Sequence, residues 1–471
     1  MCNLFVKTLE FCEIRPIFAS NQSIGVMIIK RKIDSFLEEW KSREGHQPLI
    51  IKGARQVGKT FSIEHFSKYY KHFININFVL EPKYNTIFDD GYDVESIIKN
   101  ITLLSPGNVV EPETTLIFFD EMQHQPATAT ALKSFAIDGR FDVICSGSLM
   151  GINYHEIESN SVGYKEDYTM HSLDFEEFLW AKGYGDEFVE SCYQKMLNIT
   201  PLSTTEMAIL SSLFRDYMIT GGMPAVVKTY LANGNFTNIL RMQQQLLLDY
   251  EEDISKYALG LDKGKVKNVY RHIPIFLAKQ NKKYQISKIE KNARNRDYIG
   301  IVEWLGDAGI ANVCYCLEHA SLPLKGNYVA NNYKLYFHDT GMLIASLDEE
   351  SQEDLRSNRN FNTYKGAIYE NVVSEALVKQ HYGLYFYRNE KSTVEMDFFI
   401  RDVESLIPIE VKAEDGATSS LKKLIDDDEH YPDIKYGIKL GNKNIGFNGK
   451  FYTFPYFLTF LLRRFVKDRG K

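Results

Sequence analysis

The sequence predicts an α/β protein in which a parallel sheet is followed by a helical region and a second, smaller α/β unit. Four short apolar runs, at 49–51, 73–78, 115–119 and 141–145, alternate with helix-like segments. Such alternation is typical of parallel strands buried between helices. The chain has 471 residues, of which 44% are hydrophobic and 25% charged, and this balance predicts about three compact units.

Charge and cysteine content narrow the class of protein. A net charge of -7 excludes a chain that is coated in positive charge. The six cysteines show no paired C-x-x-C spacing, which predicts a reducing, cytoplasmic location without a zinc site. No window approaches about 18 uninterrupted apolar residues, so no membrane partner is expected. Residues 1–26 lack helical periodicity, and we expect them to be a disordered extension that precedes the natural start at Met27.

A glycine-rich motif stands between the first apolar run and a helix-like segment. It reads GARQVGKT and matches G-x-x-x-x-G-K-[ST], whose backbone N–H groups curl around phosphate oxygens. Lys59 is expected to contact the β and γ phosphates of ATP and to act in catalysis. The Thr60 hydroxyl is expected to hold Mg²⁺. A chance glycine-rich turn is the less favoured alternative. The predicted nucleotide-binding residues are Gly53, Ala54, Arg55, Gln56, Val57, Gly58, Lys59 and Thr60.

Acidic and polar residues end two later strands. The run 116–119 leads into Asp120, a predicted Mg²⁺ ligand, and Glu121, which is expected to activate the attacking water. The fourth run ends at Cys-Ser-Gly-Ser, where Ser146 and Ser148 compete for contact with the γ phosphate. A tight turn without a nucleotide role explains this phrase equally well.

A second acidic set lies near the C-terminus. Asp397 in VEMDFFI and Glu410-Val-Lys412 fall in consecutive predicted strands, and the two-residue period places Glu410 and Lys412 on one face. Two carboxylates suit Mg²⁺ or Mn²⁺, and a neighbouring lysine can orient or deprotonate water for phosphodiester cleavage. Glu370, on a predicted helix, and Glu395 are further candidate ligands. An exposed hairpin without chemistry is the alternative, and spacing alone does not decide between them.

A basic stretch at 263–296 contains eleven Lys and Arg residues and one acid. Its helix-like pieces, followed by two apolar strands, predict a winged helix. Its second helix is expected to enter a nucleic-acid groove with Arg294, Arg296 and Tyr298 near the helix N-terminus. The competing interpretation is a solvated basic face or an internal partner for the acidic segment 249–253. DNA is the favoured partner, and the predicted nucleic-acid-binding residues are Lys282, Lys283, Lys288, Arg294 and Arg296.

Several phrases together resemble a known family. GARQVGKT, FFDEMQ, ICSGSLMG, SLDFEEFL and YMITGGMPAVV are similar to those of a bacterial and archaeal family of predicted ATP-binding proteins. The resemblance extends from Met27 to the C-terminus. It implies an AAA-type P-loop ATPase domain, followed by a domain of poorly known function with a restriction-endonuclease-like core. The C-terminal acidic set likewise resembles the PD-(D/E)XK nuclease core, with Glu370 as the acid on the helix.

These expectations define a domain plan and a function. The plan places an ATPase core at 27–171, a helical lid at 172–261, a winged-helix-like segment at 262–345 and a nuclease-like domain at 363–471. The predicted function is ATP hydrolysis by a DNA-binding protein whose nuclease-like domain is gated by nucleotide. The alternative is a nucleotide-dependent switch or scaffold that recognises a protein partner and has an inert C-terminal core. Homo-oligomer formation stays open.

Overall fold

The first sheet is parallel and has five strands. The computed structural model describes residues 27–148, 161–278, 297–357, 361–389, 394–412 and 418–469. The strand order is β2-β3-β4-β1-β5. The strands are β1 (Leu49–Gly53), β2 (His72–Asn77), β3 (Thr115–Asp120), β4 (Asp142–Ser148) and β5 (Glu166–Thr169), and the helices around them are α1 (Lys32–Ser42), α2 (Lys59–Phe66), α3 (Val94–Leu104) and α4 (Ala127–Asp138).

Burial explains which strands the sequence predicts. Every residue of the inner strand β3 is buried, so it appears in the sequence as a continuous apolar run. Strand β5 has the sequence EDYT and pairs only with β1, in parallel register. Because one edge of β5 has no strand neighbour among the described residues, its side chains stay polar and partly exposed. The apolar pattern therefore predicts β1 to β4 and misses β5.

Six helices follow the first sheet. They are α5 (Phe175–Ala181), α6 (Asp186–Leu197), α7 (Thr204–Thr220), α8 (Pro224–Asn233), α9 (Ile239–Tyr257) and α10 (Lys263–Leu277). Helix α7 begins with a capping box, in which the Ser203 side chain accepts from the backbone N–H of Glu206 and Glu206 reaches back to Ser203. Helices α5 to α9 fall within residues 172–261, the range in which the sequence predicts a helical lid. No helix in the described ranges is long and apolar enough to cross a membrane.

The remainder of the chain forms two further sheets. The four-stranded sheet has the order β7-β6-β8-β9, and the five-stranded sheet has the order β10-β11-β12-β14-β13. The strands are β6 (Ala311–Leu317), β7 (Tyr328–Phe337), β8 (Leu384–Arg388), β9 (Glu395–Met396), β10 (Phe398–Arg401), β11 (Leu406–Val411), β12 (Gly437–Gly441), β13 (Gly446–Phe447) and β14 (Phe451–Pro455), and the helices are α11 (Ile299–Asp307), α12 (Thr340–Ala345), α13 (Glu349–Arg356), α14 (Phe361–Lys379), α15 (Ser419–Asp426) and α16 (Leu462–Asp468).

The four-stranded sheet combines strands from both sides of the predicted boundary between 345 and 363. Strand β6 pairs with β7 in antiparallel register and with β8 in parallel register, so it is an inner strand. A wing is a hairpin that projects from its helices. The β6–β7 hairpin is instead built into a sheet with β8 and β9, so these two predicted segments share one sheet.

The basic stretch is described only in part. The expected extension at 1–26 and all five predicted nucleic-acid-binding residues at 282–296 lie outside the described residues. Tyr298 is described, and its side chain is completely buried next to the start of α11. The expectation that Tyr298 faces a nucleic-acid groove is therefore wrong, because the ring packs in the protein core.

A buried carboxylate joins the helical region to the sheets. Asp339 Oδ2 accepts hydrogen bonds from Gly222 N, at 2.8 Å, and from Ser172 Oγ, at 2.9 Å. Its Oδ1 caps helix α12 through Met342 N. A β-carbon on Gly221, whose φ is +71°, would lie 2.1 Å from Asp339 Oδ1. The turn before α8 therefore requires glycine both for its backbone conformation and for close approach of this carboxylate.

We expect Asp339→Ala to lower the free energy of unfolding by about 3 kcal/mol, because it leaves the buried Gly222 N–H without an acceptor. Asp348, which caps the exposed start of α13, is the matched control. Asp348→Ala should remove about 1 kcal/mol, the typical value of an N-cap alone. Urea unfolding of both variants measures the difference, and equal losses would mean that the contacts of Asp339 with the helical region do not contribute to stability.

Candidate functional site

The glycine-rich motif forms a turn between β1 and α2. Gly58 has a φ of +99° and stands as the N-cap of α2, a left-handed conformation that suits glycine. A β-carbon on Gly53 would lie 2.2 Å from the backbone oxygen of Met170, so the strand end also requires glycine. The result is a loop whose following helix begins at Lys59, and the first N–H groups of that helix have no partners within the helix.

Lys59 is buried inside this loop. Its Nζ donates to the backbone oxygens of Gly53, at 3.1 Å, and Ala54, at 2.8 Å. Burial lowers the pKa of Lys59 to about 8, although the fields of Glu121 and Asp120 act in the opposite direction. Phosphate oxygens would compete with these two carbonyls for the ammonium protons.

Asp120 is the polar centre at the end of β3. Its carboxylate accepts from Thr60 Oγ1 at 3.1 Å, from Asn77 Nδ2 at 3.0 Å and from the Ser146 hydroxyl. Burial raises the pKa of Asp120, whereas the hydrogen bond from Ser146 opposes the shift. The structure thus brings together Thr60 and Asp120, the two residues of this site that the sequence predicts as Mg²⁺ ligands. Asn77, at the end of β2, was not predicted because an asparagine at a strand end has no motif around it.

A cavity of about 460 Å³ opens beside the loop. It has the size of a small-ligand site. Of the predicted residues, those that line it are Arg55, Gln56, Gly58, Lys59, Thr60, Glu121 and Ser148. Ser148 Oγ is buried without a hydrogen-bond partner, whereas Ser146 is bound to Asp120. Of the two serines, Ser148 is therefore the one that faces the cavity.

Glu121 lies at the edge of this cavity. It has a φ of +57°, a left-handed conformation, directly after β3. The amide of Gln123 donates to its Oε2. Because a glutamate in this conformation is uncommon, the turn that follows β3 is a strained feature that aims the carboxylate toward the cavity.

Arg31 is a cavity residue that sequence reasoning missed. Its side chain is buried, its Nε donates to Glu177 Oε1 at 3.0 Å, and its Nη1 donates to the backbone oxygen of Val57 at 3.0 Å. Arg31 therefore ties the loop to helix α5. From the start of α8, Pro224 and Lys228 also line the cavity. No local pattern identifies these residues, since they are distant from the loop in sequence.

The acidic segment 249–253 on helix α9 contacts the opposite side of the loop. Arg55 Nη1 lies 2.5 Å from Asp253 Oδ1, and Gln56 Nε2 donates to Asp249 at 3.1 Å. Glu251 pairs with Arg271, at 2.5 Å. For Arg271 the structure therefore bears out the alternative of an internal acidic partner. The loop is held between α5 and α9.

The C-terminal acids converge where the chain passes from one sheet to another. VEMDFFI, predicted as one strand, is divided at Asp397 into β9 and β10, which belong to different sheets. Asp397 Oδ2 accepts from Val411 N at 2.8 Å, next to Glu410. Glu410 is buried, and its Oε1 lies 3.0 Å from Lys412 Nζ. Its Oε2 is buried without a hydrogen-bond partner.

Glu370 of α14 belongs to the same cluster and contacts two residues that the sequence does not predict as site residues. Tyr336 OH donates to Glu370 Oε2 at 3.1 Å, and Lys334 Nζ lies 3.9 Å from the same oxygen. Burial acts against the charged form of Lys334, but the fields of Glu370, Asp397 and Glu395 raise its pKa. Over the described part of the chain, no group of three or more His, Cys, Asp or Glu residues is arranged to hold a metal ion.

The fold and the loop define a P-loop nucleotide site. A family model described as an AAA domain matches residues 45–179, so this part of the chain is similar to AAA domains. Two further models, each described as a domain of unknown function (DUF8612 and DUF4143), match residues 211–353 and 365–457. The latter match includes the C-terminal acids and assigns no nuclease function. No curated protein is significantly similar to the chain.

Several solved structures are similar to the chain. A Walker-type ATPase of Pyrococcus abyssi has 15% identity and a TM-score of 0.40, over 68% of this chain and 96% of that chain. ORC1 of Aeropyrum pernix in complex with DNA has 12% identity and a TM-score of 0.26, over 71% and 94%. AMPPCP-bound DnaA from Aquifex aeolicus has 12% and 0.26, over 58% and 86%. Likeness at this level carries no argument about function.

Proposed function

We propose that the chain binds and hydrolyses ATP at the cavity beside the glycine-rich loop. The observation that supports this most directly is a cavity lined by Lys59, Thr60 and Glu121, at which Thr60 donates to the Asp120 carboxylate behind it. Lys59 binds the β and γ phosphates, and Ser148 donates to the terminal phosphate from the opposite side. Thr60 and Asp120 supply the oxygen ligands that Mg²⁺ prefers, and the bound ion would neutralise phosphate charge.

Glu121 has the role of general base in this proposal. Its carboxylate orients the attacking water and accepts its proton, while Gln123 holds the carboxylate in place. Arg31 and Arg55 act differently, because each is paired with a buried acid of a helix that packs against the loop. We assign them the positioning of the loop and not the transfer of protons.

Lys59→Ala should abolish binding of Mg-ATP and turnover, because no other ammonium lies inside the described loop. Glu121→Gln should still bind Mg-ATP but hydrolyse it about 100-fold more slowly, the usual size of a lost general base. Calorimetry and phosphate release measure the two steps. Lys99→Ala, an exposed lysine of α3, is the control. A wild-type protein that binds no Mg-ATP would overturn the assignment.

The second candidate function is metal-dependent phosphodiester cleavage at the C-terminal acids. The observation that favours it is the buried, unpartnered Oε2 of Glu410 beside Asp397, with Lys412 within reach to orient or deprotonate water. Glu370, Asp397 and Glu410 carry the carboxylate oxygens that Mg²⁺ or Mn²⁺ takes. Since these carboxylates are not arranged as a three-acid site, binding requires them to leave their present partners.

For this second function, DNA incubated with Mn²⁺ should be cut by the wild type and not by Asp397→Asn. Asp426→Asn removes a carboxylate that is paired with Lys450 on the surface of the same region, so its cleavage should be unchanged. Gel analysis of the products distinguishes the variants. Cleavage that survives Asp397→Asn would contradict the site, and a wild type that binds DNA without cutting it supports an inert C-terminal core.

We further propose that the basic stretch at 263–296 binds DNA. Replacing Lys282 and Lys283 together by alanine should weaken DNA binding and reduce the slope of log K against log salt by about 2, because two phosphate contacts are lost. Lys422 and Lys423 form an equally spaced exposed pair on α15, and their replacement should leave the slope unchanged. Fluorescence anisotropy measures both. Absence of DNA binding at low salt would favour the switch or scaffold that recognises a protein.

We also propose that nucleotide gates the C-terminal region. Helix α8 lines the nucleotide cavity, and the turn before it donates to Asp339 through Gly222. Asp339 follows β7, the strand that carries Lys334 into the acidic cluster. A movement of α8 on nucleotide binding would therefore displace Asp339 and with it the end of β7.

A further inference from the structure

Lys334 is a buried lysine that no motif of the chain includes. It lies on β7, at one edge of the four-stranded sheet, and only 2% of the residue is exposed. Its Nζ is 3.4 Å from Glu395 Oε1 on β9, at the opposite edge of that sheet, and 3.9 Å from Glu370 Oε2 on α14. One ammonium group therefore connects three elements of the C-terminal cluster.

The cluster contains more carboxylates than ammonium groups. Its acids are Glu370, Glu395, Asp397 and Glu410, and the lysines whose charges act on them are Lys334, Lys412 and Lys439. Ionised carboxylates are unfavourable in a buried site unless charges or hydrogen bonds compensate them. Lys412 and Lys439 act on Glu410, whereas Lys334 lies between the other glutamates. Lys334 thus compensates different members of the cluster from the other two lysines.

The position of Lys334 is fixed by its surroundings. The ammonium lies 4.8 Å from the centre of the ring of Phe386, which belongs to β8, an inner strand of the sheet. Tyr336, two residues further along β7 and on the same face, donates to the Glu370 oxygen that Lys334 approaches. Strand β7 therefore presents two groups to Glu370 Oε2, one cationic and one neutral. A metal ion at this oxygen would have to share it with both.

We propose that Lys334 is the built-in cation of the C-terminal acidic cluster and that a divalent ion binds Glu370 only in competition with it. This inference rests on the second proposed function, since it concerns the same carboxylates. An ammonium ion repels a second cation through Coulomb interactions that are strong in a site shielded from water. The ion concerned is of the oxygen-loving class, for which Mn²⁺ is the probe.

The test is calorimetric titration of the full, nucleotide-free chain with Mn²⁺. Lys334→Met keeps the length of the side chain but removes its charge, and we expect Mn²⁺ affinity to rise at least about tenfold. Lys334→Arg keeps the charge and should show no gain. Adding Glu370→Gln to Lys334→Met should abolish the gain. Equal affinity of the wild type and Lys334→Met would overturn the role of Lys334 while leaving the metal site intact.

The remaining outcomes separate the two proposals. If only Lys334→Met binds Mn²⁺, the inference is supported and the wild-type metal site is overturned. If neither binds, both are overturned. Should Lys334→Met fail to fold, thermal unfolding of Glu370→Gln and of the double variant decides the charge role. In the double variant the charges of Lys334 and of Glu370 are both absent, so no uncompensated charge remains at this pair. We therefore expect the double variant to fold with a Tm close to that of Glu370→Gln. A double variant that also fails to fold would overturn the inference.

Discussion

The organisation of the molecule depends on a buried carboxylate, that of Asp339. It accepts from the turn that begins α8 and from Ser172, which follows the first sheet, and it caps α12 at the same time. Glu375 of α14 repeats the arrangement, since it accepts from the backbone of Thr340 and from Tyr217 of the helical region. Buried acceptors without donors are unfavourable. These contacts therefore favour a single arrangement of the first sheet, the helical region and the C-terminal sheets relative to one another.

This constraint relates the two candidate sites. The nucleotide cavity is lined by Pro224, which begins α8, and the preceding Gly222 is bound to Asp339. Strand β7 ends just before Asp339 and carries Lys334 to Glu370. A continuous path of covalent and hydrogen bonds therefore runs from cavity to cluster. Such a path connects the two sites physically. Coupling between them additionally requires that the free energy of the acidic cluster differ between the nucleotide-bound and nucleotide-free states.

The sequence predicts those parts of the fold whose signal is local. The glycine-rich loop is contiguous, and buried parallel strands are apolar throughout, so β1 to β4 and the meeting of Lys59, Thr60 and Asp120 follow from pattern. A polar edge strand such as β5 has no such signal. Arg31 and Lys334 act on residues that lie far away in sequence. Only the assembled fold brings their charges to the sites.

These distant charges share a physical role. Arg31 pairs with Glu177, which lies 146 residues further along the chain, and both side chains are almost completely buried. A buried ion pair adds little net stability compared with apolar packing, yet the loss of one partner leaves an uncompensated charge that is strongly destabilising. Alternative packings of the same elements would separate such partners. In this chain we therefore infer that buried pairs select the arrangement of the parts more than they stabilise it, and Lys334 in the acidic cluster follows the same rule.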